Sequence, residues 1–105
     1  MEKCLSIYSL ESWERFQEKL RSMKKEEQIR MRPIYSHASK CDLDAQGRFL
    51  LSKDLRKRGG LLDNNVTVVG VGDCAEIWDA KAWEEIDEIE TTPENIAQVY
   101  KELQI

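Results

Sequence analysis

The apolar and polar positions of the chain alternate between helical and strand-like spacing. Residues 4–8 favour a strand, and Ser9 after them can cap a helix. Apolar residues spaced three and four apart predict that this helix buries one face and runs to about Glu27. The residues of that face are Trp13, Phe16, Leu20 and Met23.

The middle of the chain predicts a β-hairpin. Residues 34–43, which follow Pro33, alternate loosely, and this spacing favours a strand. Residues 44–47, Asp-Ala-Gln-Gly, supply the turn, and the apolar residues 49–51 form the returning arm.

A short helix and a second hairpin follow. Ser52 can cap a helix over residues 53–58, which the glycines at 59 and 60 end. The β-branched run 66–71, the Gly-Asp turn and residues 74–78 then predict two antiparallel strands.

Two further helices complete the predicted elements. Asp79 can cap a helix with Trp83, Ile86 and Ile89 on one face. Thr92-Pro93 opens the last helix, because Pro suits the first helical position after a cap. Its apolar residues are expected to point inward: Ile96, Val99, Tyr100 and Leu103.

An internal repeat links the two ends of the chain. Shifted by 70 residues, 4–14 lies over 74–84, with four identities in eleven positions and an N-cap residue at the same place in both. Cys4 and Cys74 occupy matching positions and are expected in the core. The strand at 4–8 must pair elsewhere in this chain or in another subunit, because an open edge invites pairing.

The repeat predicts the domain organisation. Residues 1–33 are expected to be the second half of a first unit, lacking its hairpin, residues 34–90 a complete second unit, and residues 91–105 a C-terminal helix.

Composition narrows the class of protein. The 105 residues suit one small domain, and no apolar run approaches the ~18 residues of a membrane span. Three widely spaced cysteines argue against a disulfide scaffold or a structural zinc site. The N-terminus lacks the apolar run of a signal peptide, so we expect a cytoplasmic protein.

Charge is strongly segregated along the chain. The total of −4 comprises −1 over residues 1–20, +6 over residues 21–60 and −9 over residues 61–105. The basic middle could face a polyanion, or it could neutralise the acidic tail of its own chain or a neighbour. The acidic stretch 84–90 suits a solvated helix face and could also repel DNA.

The hairpin tip resembles a known DNA-binding signature. Asp44-Ala45-Gln46-Gly47-Arg48, followed by three apolar residues and a Leu55-Arg56 pair, is similar to the tip of the AbrB/SpoVT-type fold. With Gly70 to Asp79, Trp83-Glu84 and Thr92 to Ile96 as well, the chain resembles the MraZ family over essentially its whole length. Ser52 stands where the signature has proline, and Cys41 where some relatives have a basic residue.

This resemblance implies a fold and a function. The fold would be α+β, with AbrB/SpoVT-like swapped-hairpin β-barrel units and flanking amphipathic helices. The function would be transcriptional regulation of the bacterial division and cell-wall gene cluster, through short direct repeats in promoter DNA. Such a protein would be a homo-oligomer, ring-like and nucleoid-associated, with no membrane partner.

The resemblance also implies the site residues. Arg48, Arg56 and Lys57 match positions that bind DNA in similar proteins, and the basic surroundings add Lys53, Lys40 and Gln46 as candidate DNA contacts. Asp44 and Gly47 are expected to shape the loop, since a short carboxylate can accept bonds from turn amides and glycine allows a positive φ. Arg48 could contact DNA, bond within the tip, or do both.

Enzymatic chemistry is not expected. His37 lies on a predicted strand without a nearby nucleophile or ligand set, and no phosphate loop or catalytic carboxylate pair is present. We therefore expect no cofactor and no metal. The alternative function is a truncated, non-DNA-binding interaction module of the same fold, similar to antitoxins or joining assemblies of complete subunits.

Overall fold

The computed structural model describes residues 3–105, which form three strands and six helices. The strands are β1 (Leu5–Tyr8), β2 (Val66–Val71) and β3 (Cys74–Asp79). The helices are α1 (Leu10–Arg21), α2 (Lys25–Ile29), α3 (Arg32–His37), α4 (Lys53–Arg58), α5 (Ala80–Glu90) and α6 (Pro93–Leu103). The chain is thus α+β, and the first two residues of the predicted 1–33 segment lie outside the described part.

The three strands form one antiparallel sheet with β3 in the centre, in the order β1-β3-β2. β2 and β3 are joined by the predicted two-residue turn, and Gly72 at its first position has φ +59°, which suits a type II′ hairpin. β1 pairs with β3, so the strand expected to need a partner finds one within its own chain.

The two copies of the repeat have the same local structure. Ser9 and Asp79 each cap a helix by accepting a bond from the backbone N–H three residues on. The aromatic pairs Tyr8–Trp13 and Trp78–Trp83 also match, with ring centroids 5.5 and 5.7 Å apart. The pairing of β1 with β3 is centred on Ser6 opposite Glu76, and these two residues hold the same position in the two copies of the repeat. An approximate two-fold axis therefore relates the two copies at this point.

The core is small, and the chain exposes far more surface than a monomer of its size. Among residues 3–105, four apolar side chains are buried, including Trp78 at 2% exposure: Leu20, Leu61, Ile77 and Trp78. The accessible surface is 8850 Å², whereas a monomer of this mass typically exposes about 6,100 Å². The radius of gyration is 16.2 Å, against about 13 Å for a compact domain of this length.

The first helix is shorter than predicted. α1 ends at Arg21 instead of near Glu27, because the chain becomes extended at Lys24. The side chain of Gln28 donates to the backbone carbonyl of Met23 at 2.8 Å, which satisfies a group beyond the end of α1. Leu20 is buried as predicted, but Met23 is 41% exposed.

The strand predicted over residues 34–43 does not form, and the predicted returning arm, residues 49–51, is not a strand either. Residues 32–37 form α3, and His37 is its last residue rather than a strand residue. Pro33 lies in the first turn of α3, where its fixed φ favours a helix. Residues 38–44 and 48–52 have no regular structure, so only the turn of the predicted hairpin is present.

The last helix begins at its predicted cap but does not turn its apolar face inward. Thr92 accepts a bond from the Asn95 N–H, and Pro93 occupies the first turn. The predicted inward residues are all exposed, Leu103 to 63%, because the described residues cover this helix only lightly. Cys4, just before β1, and Cys74, the first residue of β3, are likewise half-buried instead of fully buried.

The short helix α4 is fixed at both ends as the sequence predicts. Ser52 Oγ accepts a bond from the Leu55 N–H at 3.1 Å. At the other end Gly60 has φ +70° and Leu61 N–H donates to the Arg56 carbonyl, the geometry of a Schellman cap. Leu61 is buried, and Gly59 packs against Leu5 of β1, so α4 is held against the sheet.

Candidate nucleic-acid interface

The hairpin tip is a three-residue loop held by one carboxylate. Gly47 N–H donates to the Asp44 carbonyl at 3.0 Å, and Asp44 N–H donates to the Arg48 carbonyl at 2.8 Å. Gly47 has φ +76°, which completes a type I turn followed by a left-handed residue. Asp44 Oδ1 accepts from the N–H of Gln46 at 2.8 Å and from that of Arg48 at 2.9 Å.

These bonds change the acidity of Asp44. The two backbone N–H bonds, that of Arg48 first, lower the pKa of the carboxyl below its usual range, and the Arg48 side chain adds to this. The carboxylate therefore stays charged well into the acid range. The loop-shaping role predicted for Asp44 and Gly47 agrees with this geometry.

Arg48 combines an internal bond with free donors. Its Nε donates to Asp44 Oδ2 at 3.0 Å, which fixes the direction of the guanidinium. Within residues 3–105, Nη1 and Nη2 have no hydrogen-bond partner, and the side chain is 73% exposed. The two Nη groups can donate together to the O6 and N7 of guanine or to a phosphate.

α4 adds cations beside the hairpin. Arg56 lines a shallow groove of about 240 Å³ with Phe49 and Leu51, which follow the tip, so the structure brings α4 and this segment together. Lys53 and Lys57 are exposed, and none of these three cations has an ion pair with a described residue.

Arg58, the fourth cation of α4, differs from its neighbours. Its Nε donates to both carboxylate oxygens of Asp54 at 3.1 Å, and His37 Nδ1 lies 3.4 Å from the same carboxylate. The Arg58 bond is the main cause that lowers the pKa of Asp54. Arg58 is therefore neutralised, while Arg56 and Lys57 keep unpaired charge.

The remaining two candidates are less fixed. Lys40 is exposed in the irregular segment 38–44, so the structure does not hold it at a defined place against α4. Gln46 is exposed at the tip, where its backbone N–H is used by Asp44 and its side chain has no hydrogen bond to a described residue. Gln46 can thus project beside Arg48.

Sequence reasoning missed a second basic group of residues. A groove of about 290 Å³ between α1, α2 and α3 is lined by three cations, Arg21, Lys25 and Arg32, together with glutamines and Tyr35. Arg21 also pairs with Glu14 at 3.2 Å. Counting charges separately over residues 21–40, where six basic and two acidic residues lie, would have indicated it.

The described residues include neither a cluster of metal-ligand side chains nor a helix that could span a membrane. Among residues 3–105 no three His, Cys, Asp or Glu side chains lie together as metal ligands would. None of the helices in this part of the chain is long and apolar enough to span a membrane.

A comparison with protein families decides the relationship. Residues 34–99 match the family described as "MraZ protein, putative antitoxin-like". The chain belongs to the MraZ family. The matched residues include the Asp44–Arg48 tip, α4, β2, β3 and α5, so the candidate interface lies within the part shared with other MraZ proteins.

Proposed function

We propose that this MraZ family protein is a sequence-specific DNA-binding transcriptional regulator. It binds short direct repeats in double-stranded promoter DNA through the Asp44–Arg48 tip, and the resemblance implies the division and cell-wall gene cluster as its target. The observation that carries the proposal is the fixed tip: Asp44 orients Arg48 and leaves both Nη groups open to solvent. Such a protein acts on the nucleoid in the cytoplasm.

The charges around the tip support contact with a polyanion. Arg56 and Lys57 lie on the helix that follows the hairpin and have no carboxylate partner among the described residues. A projecting loop can enter the major groove, where arginine can bond a guanine edge, and the neighbouring cations can contact phosphates. The acidic helix α5 would keep its solvated face away from the duplex.

Several copies are needed for firm binding, because one small loop contacts few base pairs. The finer part of the proposal is therefore a homo-oligomer, ring-like, with swapped-hairpin barrel units that present several tips. Loops that engage spaced repeats together raise avidity by roughly 10²–10⁴ over one loop. The surface that this chain exposes beyond that of a compact monomer favours such an assembly.

A binding titration tests the proposal. The DNA is a fluorescent duplex from the region upstream of the gene, with a shuffled duplex of equal length for comparison. Arg48→Ala and Arg56→Ala should each weaken binding to the upstream duplex by roughly 5- to 150-fold, the range expected for a lost base or phosphate contact.

Arg58→Ala is the matched control, because it removes one positive charge from the same helix but one that Asp54 already neutralises. It should weaken binding by less than about threefold. Unchanged binding by Arg48→Ala, or equal losses for all three variants, would reject the assignment of the tip.

A second candidate is a protein-interaction module that does not bind DNA. The antitoxin-like description of the family and the exposed apolar side chains, such as Leu50 at 93%, favour it. In that case the wild-type chain should bind upstream and shuffled duplexes equally weakly in the same titration.

A further inference from the structure

The basic groove between α1, α2 and α3, called here the α1–α3 groove, is built from one face of each helix. Residues three or four apart on a helix lie on the same side, and each helix lines the groove with such a pair. These pairs are Gln17 and Arg21 from α1, Lys25 and Gln28 from α2, and Arg32 and Tyr35 from α3. The helical spacing therefore brings three cations to one groove.

Internal contacts hold the α1–α3 groove in shape. The side chain of Gln28 donates to the Met23 carbonyl at 2.8 Å, which ties α2 to the end of α1. The ring of Tyr35 packs at a steep angle against that of Trp13 in α1, with centroids 5.8 Å apart. Leu20 lines the groove and is buried. Packed helices thus set the positions from which the cations extend.

The α1–α3 groove carries unpaired positive charge. Lys25 and Arg32 have no ion pair with any residue of the described range 3–105, whereas Arg21 is shared with Glu14. The two glutamates in the first turn of α2 do not line the groove. Residues 21–40 contain six basic and two acidic residues, so they supply four of the six excess positive charges of residues 21–60.

The placement of these charges favours a duplex backbone over a small enclosed ligand. Every charged side chain that lines the groove is exposed, and the buried residue among those lining it, Leu20, is apolar. Small-molecule sites instead bury most of the ligand around a few placed polar groups. Phosphates in protein–DNA interfaces stay partly in water and are contacted by surface lysines and arginines.

α3 connects the groove to the candidate DNA interface. His37, its last residue, has Nδ1 3.4 Å from the Asp54 carboxylate of α4, the helix that carries Arg56 and Lys57. Arg32 lies five residues before His37, which is about 7.5 Å along the helix. A duplex carries one charge for about every 1.7 Å of its axis, so a separation of this size spans only a few phosphates.

We propose that the α1–α3 groove binds backbone phosphates of the same duplex whose bases the Asp44–Arg48 tip reads. This proposal rests on the proposed function and adds a second contact surface to it. Lys25 and Arg32 donate to phosphate oxygens, and such contacts position a protein on DNA without reading its sequence. The groove therefore contributes affinity and salt dependence, whereas the tip contributes the preference for one sequence.

Two double variants of equal charge test the proposal. Lys25→Gln/Arg32→Gln removes the two unpaired cations of the groove. Lys24→Gln/Arg30→Gln is the matched control, because both residues are exposed cations in the same segment but neither lines the groove. Binding to the upstream and shuffled duplexes is measured by fluorescence anisotropy between 50 and 300 mM salt.

The groove variant should bind both duplexes more weakly by the same factor. Two lost phosphate contacts lower the slope of log affinity against log salt by about 1.8 for each engaged chain, or roughly 30-fold in affinity at 150 mM salt. The ratio of upstream to shuffled affinity should stay at the wild-type value, and the control should lose less than about threefold. Lys25→Gln and Arg32→Gln alone should each give about half of the slope change, which covers the case of a double variant that loses its circular dichroism signal.

Other results would overturn the proposal. Equal losses in the groove variant and the control, with the wild-type preference for the upstream duplex intact, would reject the groove and leave the DNA-binding proposal standing. Equal wild-type affinity for both duplexes, with a loss confined to the groove variant, would support the groove contact and reject base reading by the tip. A wild type that binds neither duplex would contradict both. Inorganic pyrophosphate that binds wild type but not the groove variant, with unchanged duplex affinities, would assign the groove to a small anion instead.

Discussion

Gly59 joins the candidate interface to the sheet, and its substitution tests that connection. A Cβ built on Gly59 would lie 2.5 Å from Leu5 Cγ, well inside van der Waals contact. The position of Leu5 Cγ depends on the first side-chain torsion, so relief needs a change of that torsion or a backbone shift. The φ of Gly59 is −82°, so alanine is allowed by the backbone itself.

The magnitude follows from two opposing effects. Overpacking destabilises the folded state by about 1–3 kcal/mol. Alanine also restricts the unfolded chain more than glycine does, which stabilises the protein by about 0.4–1 kcal/mol. We therefore expect Gly59→Ala to lower the free energy of unfolding by roughly 1–2 kcal/mol, measured by urea denaturation at fixed protein concentration. For a chain of this size that corresponds to a fall in Tm of about 4–16 °C.

A double-mutant cycle with Leu5→Ala separates packing from other causes. Leu5→Ala makes room for the new methyl group, so Gly59→Ala should cost about 1 kcal/mol less in that background. Gly60→Ala is the control at the adjacent position, where the cost comes from φ +70° and should not depend on Leu5. A stabilising Gly59→Ala, or a cost unchanged by Leu5→Ala, would refute the packing argument.

Two further predictions concern single side chains. The Asp44 carboxyl should titrate below the usual value of about 3.9 in an NMR pH series, and in Arg48→Ala it should stay lowered because the backbone bonds come first among the causes. Because the folded-state pKa is lowered, the stability that Asp44 contributes is present at pH values above the unfolded-state pKa and is lost as pH falls through the folded-state pKa. A titration midpoint of Asp44 at or above the usual pKa would contradict this. Leu20→Ala should cost about 2–5 kcal/mol of unfolding free energy, whereas Leu103→Ala, 63% exposed, should cost under about 0.5 kcal/mol in dilute monomer, and equal costs would contradict the assigned burial.

Local chemistry made several elements predictable from the sequence. Ser9, Ser52, Asp79 and Thr92 all cap helices as expected, because a cap depends on the residue and its next three neighbours. The tip at residues 44–47 and the Gly-Asp turn were equally local. The family match to MraZ also agrees with the resemblance carried by these turns.

Features that depend on distant packing could not be predicted in the same way. Pro33 can start a helix as well as end a connection, and no residue nearby decided between them, so α3 was missed. The apolar stripe of α6 has helical spacing, but spacing does not say what covers it, and Leu103 is exposed. The pairing of β1 with β3 needed the spatial relation between residues 70 apart.

The salt dependence of DNA binding tests the central claim most directly. The affinity for the upstream duplex is measured by fluorescence anisotropy between 50 and 300 mM salt, for wild type and for the Arg48→Ala/Arg56→Ala double variant. The account predicts a steeper slope of log affinity against log salt for wild type than for the double variant, by the amount that corresponds to about two phosphate contacts per engaged tip. The double variant should also lose the preference for the upstream duplex. Equal slopes with an unchanged preference would show that the hairpin tip and α4 do not contact the DNA.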